Sequence, residues 1–252
     1  MLEASNIQIP ERISLAQFRA NAGQLHVILG SNGSGKSSLL GALAGLIELP
    51  EAEVKLGGED LQQLSAESRA ARMAVLTQRQ SLDFDFEVAD VIRMGLHPLQ
   101  LDESEAQARF SQVVEALDLA GLLTRRYPTL SRGEAQRTQI ARVLMQRRAK
   151  VGGAILLDEP LTALDLRHQH TVMQYAEQLK AEGHVLVMVL HDLDIAAQFG
   201  DSFTLLERGT VVGSGDQSVL QPELLSRVFE IEIERKVDEE GRLQFRAVTI
   251  ND

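Results

Sequence analysis

Three short stretches of this chain carry residue types suited to chemistry on phosphate esters. The first is Gly30-Ser31-Asn32-Gly33-Ser34-Gly35-Lys36-Ser37, with Ser38 following. It has the spacing Gly, four residues, Gly, Lys, Ser, in which glycines let backbone N–H groups converge on a phosphate. Lys36 is then placed to reach the outer phosphates, and the Ser37 hydroxyl to ligate Mg²⁺. The second is Ala154-Ile155-Leu156-Leu157-Asp158-Glu159, an apolar run ending in two acids. After a phosphate loop, Asp158 suits support of a metal and Glu159 suits polarising a water. The third is Leu130-Ser131-Arg132-Gly133-Glu134. Ser131 and Glu134 have capping-box spacing, which accounts for both without any function. A capped helix start is also a place for an anion.

The elements around these stretches are the ones such chemistry needs. Leu25 to Leu29 is a buried-strand pattern running into the glycines, and residues 37–47 have apolar positions at helical spacing. A helix there aims its positive end at the loop's anion. Met73 to Leu76, Ala154 to Leu157 and Val185 to Leu190 read as further strands, with a helix over 166–180 stopped at Gly183. Continuous apolar strands alternating with helices mark a parallel sheet covered on both faces. From about 87 to 149 the pattern is mostly helical, and beyond about 203 paired short strands suggest hairpins. The expectation is an α/β fold: a nucleotide-binding core from 1–86 and 150–252, interrupted by a helical lobe at 87–149.

Composition narrows the class. The chain has 252 residues, 44% of them hydrophobic, enough for one substantial core. Its formal net charge of -11 argues against nucleic acid as the main partner, since phosphate contacts come from Lys and Arg. With no cysteine, disulfides and thiolate metal sites are excluded. The first residues do not read as a secretion signal, and the longest aliphatic run falls far short of the about 20 residues a membrane span needs. His168 and His170 lie two apart and read as solvated helix positions. Asp238 to Gly241 reads as a hairpin turn.

The ordered set of phosphate loop, Gln78, LSRGE, ILLDEP, Leu164-Asp165 and His191 resembles the ATP-binding-cassette (ABC) ATPase family over essentially the whole length. The resemblance implies a RecA-like P-loop NTPase core with a mainly parallel sheet, an antiparallel β subdomain and an inserted α-helical subdomain. It implies ATP and Mg²⁺ as ligands, with Ser37, Gln78 and Asp158 at the metal. Glu159, His191 and Gln78 become the catalytic set, His191 as a γ-phosphate switch and Gln78 as a link to the helical lobe. Ser131, Gly133 and Asp165 would complete the ATP site of a second copy, although Asp165 also suits a helix N-cap. Arg132 stands where the family usually has glycine. The family's early aromatic residue over adenine has no counterpart in residues 1–17, leaving Arg12 or Ile9 to cover the base.

One motif set implies a homodimer as the working unit. The segment from Phe84 to Pro98, with ALDLRHQH and VLHDLDIAAQFGD, resembles the ATPases of haem, cobalamin and iron-complex importers, haem first. That resemblance implies integral-membrane permease partners, a periplasmic or surface substrate-binding protein acting through them, and a peripheral place on the cytoplasmic face of the inner membrane. A soluble ABC ATPase of the iron–sulfur assembly type shares the nucleotide motifs but not the importer-like segment. A nucleotide kinase would lack LSRGE and His191, and a non-hydrolysing sensor would lack Glu159.

Overall fold

The computed structural model describes residues 1–78, 85–99, 101–146 and 153–248. Alternation builds the first hairpin: β1 (Leu2–Ile9) and β2 (Ile13–Ala20) pair antiparallel from Leu2↔Ala20 to Ile9↔Ile13. Strand β3 (Gln24–Gly30) is buried from Leu25 onwards and runs through the glycine loop into helix α1 (Lys36–Leu43). Two short strands follow, β4 (Glu53–Leu56) and β5 (Glu59–Asp60), then α2 (Ala66–Ala70) and β6 (Met73–Leu76). Helices α3 (Val88–Arg93), α4 (Glu103–Ala116) and α5 (Arg132–Met145) form one block. The chain then alternates: β7 (Ala154–Asp158), α6 (Leu166–Ala181), β8 (Val185–Val189), α7 (Leu193–Phe199), β9 (Ser202–Glu207). It closes with β10 (Thr210–Gly215), α8 (Pro222–Phe229) and the hairpin β11 (Ile233–Val237) and β12 (Leu243–Ala247).

Among the described residues, ten strands make one sheet in the order β5-β4-β1-β2-β10-β9-β3-β8-β7-β6. Neighbours from β9 to β6 are parallel, and those from β5 to β2 antiparallel. The expected antiparallel region is therefore continuous with the parallel core, joined where β10 bridges β2 at Thr210↔Ser14. Alternate side chains of the central strands serve two cores. Leu25, Val27 and Leu29 of β3, with Ile155 and Leu157 of β7, pack with the helices α3 to α8. Ile28, Leu156, Val187 and Val189 face the other way, onto α1 and the hydrophobic side of β1 and β2. Both faces of the parallel strands are covered, which is why they read as unbroken apolar runs rather than alternating ones.

Helix α5 binds the helical block to the sheet. Ile140, Val143 and Leu144 share a core with Ile155 and Leu157. Beyond its end, Gln146 Nε2 donates to the carbonyls of Ala70 and Met73, at 2.8 and 3.1 Å. The short helices α2, α7 and α8 were not expected from periodicity; each spans eight residues or fewer, about two turns, too little for a 3.6-residue pattern to emerge. No helix among the described residues is long and apolar enough to cross a membrane.

Candidate functional site

Sheet register assembles the site. Val189 of β8 lies opposite Ile28 of β3 on one side and Asp158 of β7 on the other, and Leu157 lies opposite Leu76 of β6. Four parallel strands thus end along one line. The residues leaving them are the glycine loop, Glu159, His191 and Gln78. Ligands of open parallel sheets bind in the crevice outside these carboxyl ends. A cleft of about 650 Å³ opens there. Its lining includes Asn32, Gly33, Gly35, Lys36, Ser37, Ser38, Gln78, Glu159 and His191. Glu11, Arg12 and Thr162 line it as well; of these only Arg12 figured in the sequence reading. Thr162 has no signal in the sequence, since the turn after Pro160 alone brings it round.

The loop's geometry depends on glycine at two points in particular. Gly33 has φ 79° with open space around it, so only the backbone conformation demands glycine there. Gly35 has φ 101°, and a Cβ on it would stand 2.6 Å from the Arg12 carbonyl oxygen. Gly35 is also the N-cap of α1 and offers no side-chain hydrogen bond, so the first-turn N–H groups keep their donors for an anion. Lys36 folds back over the loop: its Nζ donates to the Gly30 carbonyl at 2.9 Å and the Ser31 carbonyl at 2.8 Å. Burial pulls its pKa down, against the attraction of Glu159 and Asp158. Ser34 lies buried beneath the loop.

Asp158 is buried at the end of β7, and burial pushes its pKa up, with Glu159 adding to the rise. The Ser37 hydroxyl, Lys36 and the Gln78 backbone N–H act in the opposite direction. Its Oδ1 has no hydrogen-bond partner. A buried, unpartnered carboxylate oxygen beside a serine hydroxyl fits Mg²⁺, which takes one or two protein oxygens and completes its shell with phosphate and water. Among the described residues no group of three His, Cys, Asp or Glu is placed to hold a metal ion. Next in sequence, Glu159 adopts φ 51°, a strained conformation of the kind that concentrates at functional sites. Its Oε1 lies 2.7 Å from His191 Nε2.

Ser131, Gly133 and Asp165 do not line this cleft. Ser131 caps α5, with its hydroxyl accepting from Glu134 N–H at 3.3 Å and Glu134 Oε2 accepting from Ser131 N–H at 2.7 Å. Arg125 closes the box by donating to Glu134 Oε1 at 3.1 Å. Gly133 packs against the next segment: a Cβ would stand 2.8 Å from the Ala163 carbonyl oxygen. Gln136 reinforces that contact, donating to the Pro160 carbonyl at 3.0 Å. Asp165 caps α6, accepting from the His168 N–H at 2.9 Å. His168 is not the solvated position expected; its side chain is mostly buried, with Nδ1 2.8 Å from Asp165 Oδ1. His170 is exposed as expected. Ile9 is half-buried against the core and does not line the cleft. Of the importer-like segment, Phe84 lies outside the described residues, and Val88, Val91 and Ile92 are buried in α3.

Comparison with known proteins places this architecture. A family model described as "ABC transporter" matches residues 13–162. The chain is 39% identical over 239 residues to the hemin import ATP-binding protein HmuV of Pseudomonas fluorescens, covering 92% of this chain and 94% of that protein. It is 41% identical over 242 residues to the protein of the same name from Pseudoalteromonas translucida, covering 92% and 93%. Among solved structures, a dimeric bacterial ABC transporter cassette superposes with a TM-score of 0.75 at 23% identity, covering 86% of this chain and 99% of that one. An ABC transporter described as of the metal-chelate type, in an inward-facing conformation, reaches 0.77 at 24% identity, covering 98% and 97%. At those identities the structures establish the fold. This chain belongs to the ABC transporter family.

Proposed function

We propose that this protein is the ATP-hydrolysing subunit of an ABC importer that drives uptake of haem. The nucleotide binds with its phosphates on the glycine loop, where the open N–H groups of α1 and Lys36 receive them. Lys36 leaves the carbonyls of Gly30 and Ser31 to do so, exchanging one set of charge-assisted bonds for another. Ser37, Asp158 and Gln78 would hold Mg²⁺, which when bound would offset negative charge on the phosphates. Glu159 orients the attacking water and accepts its proton. His191 fixes the Glu159 carboxylate from one side while facing the cleft. The observation that carries this reading is the single cleft shared by the loop, Gln78, Glu159 and His191.

The working unit is a homodimer. Ser131 and Gly133 at the start of α5, with Asp165, stand away from the cleft of their own chain and cover the nucleotide held by a second copy. The exposed Ser131 and Arg132, and Leu166 at 83% exposure, suit a face that another subunit covers. The dimer sits peripherally on the cytoplasmic face of the membrane against permease subunits, with a substrate-binding protein delivering cargo from the other side. The helical segment 87–149 acts as a subdomain coupled through Gln78 to the core at 1–86 and 150–252.

Haem is favoured as cargo because the curated relatives at 39–41% identity are named for hemin import. The deciding experiment expresses the protein with its permease, reconstitutes both in liposomes and measures ATP-driven uptake of haem, cobalamin and ferric siderophore side by side. Haem uptake that requires ATP supports the proposal. Uptake of one of the others alone replaces the cargo, and failure to associate with any permease removes the importer role.

A further inference from the structure

Ser131 caps α5 in the helical block, whereas Asp165 leads into α6 of the core. In the proposed dimer both face one nucleotide, so their relative position matters. One tie between them lies at the start of α5, where Gly133 and Gln136 meet the segment 159–165. A second group of side chains joins that segment to the end of α4, and the hydrolytic chemistry leaves it unused. Its centre is His168, in the first turn of α6, with a side chain 15% exposed.

Both ring nitrogens of His168 face a carboxylate. Asp165 Oδ1 accepts from the His168 N–H at 2.9 Å and lies 2.8 Å from Nδ1. The backbone bond holds the Asp165 carboxyl below the usual carboxylate range, so Asp165 accepts and Nδ1 carries the proton. Nε2 is buried and has no hydrogen-bond partner. Asp118 Oδ2 stands 3.9 Å from it, about 1 Å beyond a charge-assisted bond. A buried polar atom left in that state costs free energy.

Asp118 carries a cost of its own. It follows the C-cap of α4 with φ 52°, where glycine is the least strained choice. Aspartate tolerates that conformation, but the conformation makes no use of a carboxylate. Its backbone is fixed from α5: Arg137 Nη1 donates to the carbonyls of Leu117 and Asp118, each at 2.7 Å. Arg167 also meets Asp118, at 3.8 Å, in an exposed pair of the kind that contributes little. A row thus runs from α5 through Arg137, Asp118 and His168 to Asp165.

We infer that His168 yokes the Asp165 turn to the helical block, Nε2 closing onto Asp118 when two copies close on ATP while Nδ1 keeps Asp165. A ring that donates at both nitrogens is the imidazolium, so closure draws one proton from solvent and sets a positive charge between two carboxylates. The yoke keeps Asp165 in step with Ser131 and Gly133. The inference rests on the reading of those three residues as facing the second copy's nucleotide. His168 is a positioning residue and does not line the cleft.

The test measures ATP affinity by isothermal titration and ATP-driven dimerisation by sedimentation, both on the full-length protein. His168→Asn sets an amide nitrogen near the place of Nδ1 and leaves Asp118 without a partner in the ring. Asp118→Asn keeps size and tolerates the same φ. Each is expected to weaken dimerisation about fivefold, and the double variant also about fivefold, not by the product of the two. ATP affinity of the monomer stays unchanged, and Asp118→Asn melts within about 3 °C of wild type. Wild-type dimerisation strengthens as pH falls from about 8 to about 6, more than that of His168→Asn, because closure takes up a proton. Unchanged dimerisation in Asp118→Asn, a double variant that loses the product of the single effects, or one pH dependence with and without His168 would overturn the inference. Wild-type protein that binds ATP yet stays monomeric would overturn the dimer reading, and the yoke with it.

Discussion

His191 Nε2 and Glu159 Oε1 stand 2.7 Å apart, although their strands are separated by the whole of α6. The contact exists because β7 and β8 are neighbours with Asp158 opposite Val189, so the residues leaving each strand meet above the sheet. It holds the Glu159 carboxylate, 14% exposed, at the mouth of the phosphate cleft.

That geometry predicts separable effects on binding and turnover. Glu159→Gln keeps size and hydrogen bonding but removes the base, so hydrolysis falls by about 10²-fold or more while ATP still binds. The variant accumulates as an ATP-bound dimer on size-exclusion chromatography. Hydrolysis at the original rate would refute the water-orienting role.

Lys36→Ala removes a buried ammonium held by two loop carbonyls. ATP affinity or turnover drops by about tenfold or more, the scale of a lost charge-assisted contact. Isothermal titration with ATP checks this, and unchanged binding and hydrolysis would unseat the phosphate-loop assignment.

Ser131 separates a capping role from a role toward the partner's nucleotide. Ser131→Ala loses the cap and costs about 1 kcal/mol in urea unfolding. Ser131→Asp retains a good cap, so stability stays within about 0.5 kcal/mol. In the proposed dimer it also sets a carboxylate against the second copy's phosphates, and ATP-driven dimerisation is expected to be lost. Normal dimerisation of Ser131→Asp would confine the residue to capping.

Gly35→Ala forces a side chain into φ 101° and against the Arg12 carbonyl. A destabilisation of about 2 kcal/mol or more is expected, from strain plus displacement of the β1–β2 turn. Thermal unfolding compared with Ser38→Ala, at a half-buried position of the same helix with an ordinary helical backbone, provides the control. Equal melting temperatures would mean the loop repacks freely.

His26 gives the fold a pH dependence with a definite direction. It is buried in β3 between Ser202 Oγ and Thr204 Oγ1, each at 2.8 Å, and burial lowers its pKa to about 4 from 6.5. The unfolded chain therefore binds a proton that the folded one excludes. The stability from neutral His26 is complete above pH 6.5 and is lost as pH falls from there toward 4. At pH 5 the loss is about 2 kcal/mol relative to pH 7.5. Urea unfolding of wild type against His26→Gln at both pH values measures it, and identical slopes in the two proteins would exclude His26 as the cause.

The residue types for phosphate chemistry were legible in the linear order. The glycine spacing, the Asp158-Glu159 pair after an apolar run and the Ser131–Glu134 box each follow from local rules about backbone freedom, strand burial and capping. So were the long strands and α6, because their periodicity extends over enough residues to be read. Cleft-lining residues such as Gln78 and His191 were legible through family resemblance alone, as a single amide or imidazole has no local signature.

The tertiary structure decided what pairwise register and packing control. It joined the parallel and antiparallel strands into one sheet, because β10 bridges back to β2. It put Arg12 and not Ile9 in the cleft lining, Ile9 packing half-buried against the core, and it buried most of His168 against Asp165. It also kept Ser131 and Gly133 out of their own chain's cleft. These outcomes depend on contacts between residues distant in sequence, whose energies are settled only when the sheet has closed and each side chain has neighbours to exclude or accept it.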